Sequence, residues 1–279
     1  MAGYVAAVQM ECITGEIREN STHIIRLLEQ MKQKQPEVVL AVFPEMALYG
    51  YEKLEEISTR TSPSEIEENL KEIASVCQAQ RLNAVVGAPY FGKTGLENAL
   101  YFLNIQGVVQ HVYSKMHLIE TEKNVFVPGK SYGICQTPFG KIGFLICWDS
   151  AFPETGRTYA GAGVRLLAVS AAWENPYERQ WELAVCGRSF DNDISVAASN
   201  CIGKSGGLRL AGQSMITDCL GNILAEKTDG REGFITADLD QMLTKEKRRG
   251  FGSQIEELKD EGEIKEDIRV FIGWKEGRK

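Results

Sequence analysis

Hydrophobic positions along this chain fall into two alternating patterns: short continuous apolar runs, and longer stretches with apolar residues every three or four positions. The runs at 4–10 (YVAAVQM), 38–43 (VVLAVF), 84–90, 142–146, 166–172 and 194–199 have strand length and little polar alternation, which predicts strands covered on both faces. Between them, 16–34 carries Ile17, Ile24, Leu27, Leu28 and Met31 at helical spacing and stops ahead of Pro36. The stretch 65–80 places Ile66, Leu70, Ile73 and Cys77 on one face, and 153–162 and 178–190 complete the helical set. Residues 98–104 and 107–115 alternate more and read as a hairpin turning around Gln106-Gly107. Shorter strands at 212–216, 223–226 and 233–237 follow, joined by glycine turns. Strands alternating with helices of this length predict an α/β fold with helices on the sheet faces.

Composition narrows the partners. The chain has 279 residues, with 31 basic against 38 acidic side chains and a formal charge of -7, which argues against nucleic acid or an anionic membrane as the main partner. No apolar run approaches the roughly 20 residues of a membrane span, and no charged segment with a cleavage site precedes the first strand, so the expected location is cytoplasmic. Seven cysteines without a C-x-x-C pair fit neither a disulfide framework nor a zinc cluster. The histidines at 23, 111 and 117 are too scattered for a metal site, and no Gly-rich phosphate loop is present, so neither metal nor cofactor is expected. The patterned part, 1–244, reads as one domain. The extension 245–279 is charged (Lys245, Lys247, Arg248, Arg249, then an acidic run) and ends in Val270-Phe271-Ile272, which reads either as a solvated tail or as a segment docking on a partner subunit.

Candidate chemistry gathers at strand exits. In 141–154 (KIGFLICWDSAFPE) an apolar run delivers Cys147 to its end and then breaks, as a buried strand entering a turn and a helix start. At such an elbow backbone amides point the same way as the sulfur, where they can attract a thiolate or bind an oxyanion. Glu45 follows a buried strand and a proline in FPEMALYGY, where low dielectric favours a base near neutral pH, and Lys115 ends the hairpin in YSKMHL. Each has an ordinary alternative. Glu45 would serve as a helix N-terminal charge, Lys115 as an edge-strand lysine, and Cys147 as core filling. Taken singly, they leave function open.

In this order and spacing, FPEMALYGY, YSKMHL and CWDSAFPE resemble the three signature blocks of the nitrilase superfamily of carbon-nitrogen hydrolases. Supporting matches are Arg157 and Gly163, the strand end from Ser170 to Trp173, Arg188 to Asn192 before ISVAASN, and GQSMITDCLGNIL. The resemblance spans about residues 3 to 240, and no arginine-rich segment of the family kind follows Gly250. It implies a four-layer αββα sandwich and a catalytic triad of Glu45, Lys115 and Cys147, with residues 1–244 as the carbon-nitrogen hydrolase domain. Glu122 in EKNVFVPG fits the family's second glutamate, with Glu120 as a nearby rival. The resemblance further implies the Trp148 amide as an oxyanion donor, Tyr51 and Trp173 as substrate-binding candidates, and a homodimer or larger assembly.

The activity implied is hydrolysis of a carbon-nitrogen bond in a small amide or N-carbamoyl compound through a cysteine thioester, with release of ammonia. The alternative is a nitrilase. Members acting on nitriles usually carry glutamate after Cys-Trp, whereas this chain has Asp149, as in the amidase and carbamoyl amidase branches. A papain-like hydrolase would need a histidine partner in a convincing context, and a non-catalytic scaffold would not need an intact triad.

Overall fold

The structure, a computed structural model, describes residues 3–205, 207–243, 255 and 268–272. Along the chain, β1 (Tyr4–Gln9), α1 (Ile17–Lys34), β2 (Val38–Val42), the single-turn α2 (Ile57–Arg60) and α3 (Pro63–Gln80) lead to β3 (Asn83–Phe91), β4 (Leu96–Leu103) and β5 (Val109–Ser114). Then come β6 (Tyr132–Thr137), β7 (Gly140–Ile146), α4 (Pro153–Gly161), β8 (Leu166–Ala171), α5 (Glu178–Phe190) and β9 (Ser195–Asn200). Six short strands and one helical turn follow: β10 (Ile202–Ser205), β11 (Leu208–Ala211), β12 (Ser214–Thr217), β13 (Ile223–Lys227), β14 (Gly233–Asp238), α6 (Leu239–Leu243) and β15 (Ile268–Ile272).

Two mixed sheets result, ordered β14-β1-β2-β3-β4-β5 and β13-β12-β9-β8-β7-β6-β15. The apolar runs explain how they stack. In β1, Val5 and Ala7 join one core with Leu40, Val42 and Phe102 of their own sheet and Phe144 of the other, while Ala6 and Val8 face α1 and α3 in a second core. Phe102 and Phe144 meet edge to face across the sheets, ring centres 6.2 Å apart. Tyr159 of α4 with Trp181 and Val185 of α5 covers the far side of the second sheet. The layers are therefore helix, sheet, sheet, helix, the αββα sandwich that the resemblance implies.

Some elements differ from expectation. Helix α3 begins at Pro63, not 65, because Ser62 caps it by accepting from the Glu65 amide and proline suits the first helical position. Strand β6, YGICQT, was not expected, since its mixed composition carries no long apolar run. The short strands β10 and β11, which no apolar run announces, pair as an antiparallel hairpin. In the C-terminal extension, read as a solvated tail or as a segment docking on a partner subunit, β15 pairs in parallel with β6 of its own chain. The basic stretch from Lys245 to Arg249 lies outside the described residues.

Candidate active site

Glu45 sits three residues beyond β2, in a turn that requires an absence on its neighbour. Met46 next to it has φ +52, and a Cβ on Gly87 of β3 would stand 2.5 Å from the Met46 nitrogen and 2.6 Å from the Pro44 oxygen. Only glycine at 87 lets this turn lie on the strand. The turn aims Glu45 inward, where its side chain is inaccessible to solvent. One carboxylate oxygen accepts from Lys115 Nζ at 2.8 Å and Asn98 Nδ2 at 2.7 Å. The other accepts from the Ala172 amide at 2.9 Å, at the end of β8 in the opposite sheet. Burial raises the carboxyl above its ordinary value; Lys115 pulls it back and the Glu122 charge pushes it up again.

Lys115 follows β5, held by its amide to the Asn98 carbonyl at 2.8 Å and by the Gly129 amide to its own carbonyl at 2.8 Å. Its ammonium is fully buried and bridges Glu45 and Glu122, each at 2.8 Å. Burial alone would lower its pKa, but the Glu45 carboxylate and the other acidic groups around it outweigh burial and hold it well above the ordinary value. Glu122 also accepts from the Tyr51 hydroxyl at 2.9 Å, Asn98 Nδ2 at 3.1 Å and the Ile119 amide at 3.0 Å. Glu120, the rival, is on the surface paired with Lys123 at 2.7 Å. Geometry thus separates two glutamates that sequence left side by side.

Cys147 closes β7 with φ +47, a left-handed conformation that a non-glycine residue adopts only where its surroundings impose it. The Ala172 amide that serves Glu45 also lies against its sulfur. Burial, then the Glu45 charge, drive the thiol pKa well above the ordinary value, and Lys115 opposes them without prevailing. Trp148, which follows Cys147 in the chain, is 40% exposed, with its ring centre 5.8 Å from that of Trp173. The Trp173 side chain donates to the Tyr177 carbonyl at 2.9 Å, and Tyr51 lies beneath the Lys115 ammonium, 5.9 Å from ring centre.

Sequence reasoning passed over two participants. Asn98 bridges both glutamates from a buried position in β4, and its only sequence trace is a polar side chain set among apolar neighbours. The Ala172 amide leaves no trace, because any residue but proline supplies one. Asp149 contacts none of the Glu45, Lys115 or Cys147 side chains through its described hydrogen bonds; its donors are Tyr113, Ile146, Met116 and His117. Among the described residues, no group of three or more His, Cys, Asp or Glu side chains is arranged to hold a metal ion.

A thiol, two carboxylates and one ammonium are thus gathered at the edge where both sheets end. The carbon-nitrogen hydrolase family model matches residues 4–249. The chain belongs to the carbon-nitrogen hydrolase family. A probable nitrilase of Schizosaccharomyces pombe is 32% identical over 86% of this chain and 90% of its own length. The 2-oxoglutaramate amidase of Bacillus subtilis is 28% identical over 96% of this chain and 95% of its own. An amidase from Nesterenkonia sp. superposes with a TM-score of 0.81 at 21% identity, covering 93% of this chain and 97% of that one, which shows the common fold. As a member of the carbon-nitrogen hydrolases, this chain is a hydrolase of non-peptide carbon-nitrogen bonds, and no helix among its described residues is long and apolar enough to cross a membrane.

Proposed function

We propose that this carbon-nitrogen hydrolase acts on a small primary amide or N-carbamoyl compound, with Cys147 as nucleophile, Glu45 as general base and acid, Lys115 as electrostatic support and Glu122 as the group that orients the substrate nitrogen. The observation that carries this reading is the buried network joining Lys115 to both glutamates beside the buried Cys147 side chain. Burial holds the Cys147 thiol above its ordinary pKa, which disfavours a separate thiolate before attack. Glu45 therefore takes the thiol proton as sulfur attacks the carbonyl carbon. The oxyanion forms against Lys115 and the Trp148 amide, a contribution of about 3–4 kcal/mol per well-placed donor. Protonated Glu45 gives its proton to the nitrogen, the carbon-nitrogen bond breaks, and ammonia leaves a thioester on Cys147. Water, deprotonated by Glu45, then cleaves the thioester, releasing the acid and restoring the thiol.

A nitrile offers no N–H for Glu122 to accept before attack, which favours the amide. An amide and an N-carbamoyl derivative should outpace the matching nitrile about a hundredfold in ammonia release, roughly 3 kcal/mol. Glu122→Ala should lower amide turnover about as much. Mass spectrometry with a slowly hydrolysed ester should find the acyl adduct on Cys147 and none after Cys147→Ala. Faster acid production from the nitrile would favour the nitrilase reading, and an adduct on another cysteine would remove Cys147 from the mechanism. We further propose a homo-oligomer, supported by Leu183 and Phe190 of α5, exposed by 55% and 58%. A cytoplasmic location accords with cysteines that are free among the described residues.

A further inference from the structure

Lys115 and Cys147 stand at the ends of strands in different sheets, β5 and β7, so something must fix one strand end against the other. We propose that Asp149 is that positioning residue, and that His117 completes the clamp. The inference rests on the proposed thioester mechanism for its effect on rate, and on geometry alone for its effect on structure.

Asp149 lies in the 3-10 turn that follows β7 and is fully buried. One carboxylate oxygen accepts from the His117 amide and from His117 Nδ1, both at 2.8 Å. The other accepts from the Tyr113 hydroxyl at 2.9 Å and, more loosely, from the amides of Met116 and Ile146 at 3.4 Å. Met116 and His117 directly follow Lys115, Tyr113 precedes it by two residues, and Ile146 directly precedes Cys147. A single carboxylate therefore gathers the backbone on both sides of the proposed catalytic junction. Burial first, and the Asp149 charge next, push the Tyr113 phenol well above its ordinary pKa, which keeps it a hydrogen-bond donor.

His117 extends the clamp to the site mouth. Its ring stacks on Phe152 with centres 3.7 Å apart and an interplanar angle of 12°, and Phe152 meets Trp148 edge to face at 5.9 Å. The aromatic side chain beside the nucleophile is thus braced by the same imidazole that binds Asp149. Displacing a catalytic group by about 1 Å can slow a reaction about a hundredfold. This gives Asp149 an effect on the reaction with no contact to the reacting atoms.

Asp149→Asn keeps the shape but turns an NH2 group toward donors that now lack an acceptor. It should lower kcat about a hundredfold with KM within threefold, and hydrogen exchange should show lost protection of the Met116 and His117 amides. His117→Phe keeps the stack and drops the Nδ1 donor; it should slow turnover about tenfold, and His117→Asn, which restores an N–H near that place, should recover most of the loss. If Asp149→Asn does not fold, Tyr113→Phe and the His117 pair carry the test. A folded Asp149→Asn variant with kcat within threefold of the parent and unchanged exchange overturns the clamp, as does equal loss in both His117 variants. Cys147→Ala separates the two readings. Lost exchange protection in Asp149→Asn together with amide hydrolysis surviving in Cys147→Ala would leave the clamp standing and remove the mechanism.

Discussion

Glu45 and Asp149 are both fully buried carboxylates, each a few residues past a strand end. What faces them is different. Around Glu45 stand a permanent cation, a second carboxylate and a thiol, so one proton has competing owners and burial has already raised the carboxyl pKa. Around Asp149 stand backbone amides, a phenol and an imidazole, whose hydrogens all point at it. Burial by itself therefore does not make a carboxylate a base. A proton donor with somewhere to send its proton does, and five donors converging on one group make it a fastener.

The comparison breaks most sharply at Lys115. Lys115→Met should abolish turnover, by about ten-thousandfold or more, because thiol deprotonation and the oxyanion both lose their cation. It should also destabilise the fold by about 3–5 kcal/mol, since two buried carboxylates keep no counter-charge. Because the folded-state pKa of Lys115 lies above its ordinary value of 10.5, this stabilisation is present below that value and is lost as the pH rises beyond it through the folded-state value. Thermal melts of the parent should therefore drop at strongly alkaline pH, and those of Lys115→Met should lack that component. Full stability in the variant at neutral pH would show that the buried network does not hold the site together.

Glu45→Gln should lower kcat about a thousandfold, tenfold more than Asp149→Asn, since it deletes the proton carrier itself. Equal losses in the two would erase the distinction between base and fastener. The smallest expected effect belongs to Asn98→Leu. Its amide favours the charged form of Glu45, so its removal should raise the Glu45 pKa further, move the acidic limb of the kcat/KM profile upward and slow the enzyme about tenfold at neutral pH. A slower variant with an unmoved limb would make Asn98 a packing residue only.

The strand exits carrying Glu45, Lys115 and Cys147 were legible because two apolar runs and one alternating strand each give way to a side chain of reactive type, and the period-3.6 stripes located α1 and α3. Glu122 was legible only through its likeness to a known block, because its place depends on how the loop after β5 folds back to Tyr51 and Asn98. Asp149 stands out in the sequence only as a marker of substrate class, because its hydrogen bonds to Tyr113, Met116, His117 and Ile146 come from segments distant in the chain or from backbone amides. Strand β6 and the β10–β11 hairpin escaped because they are short and are fixed by pairing with neighbours more than by their own pattern.

The backbone around Glu45 is also tied to the second sheet by Ser170, whose hydroxyl donates to the Phe43 carbonyl at 2.7 Å across 127 residues of chain, the same separation that divides Glu45 from the Ala172 amide. Contacts so distant in sequence close late in folding, after local helices and hairpins have formed. During refolding, recovery of activity should thus trail recovery of helical signal, and a partly folded chain with either sheet intact would carry a harmless thiol. In the proposed mechanism, Cys147 acquires Glu45 as its base only at the moment the two sheets dock.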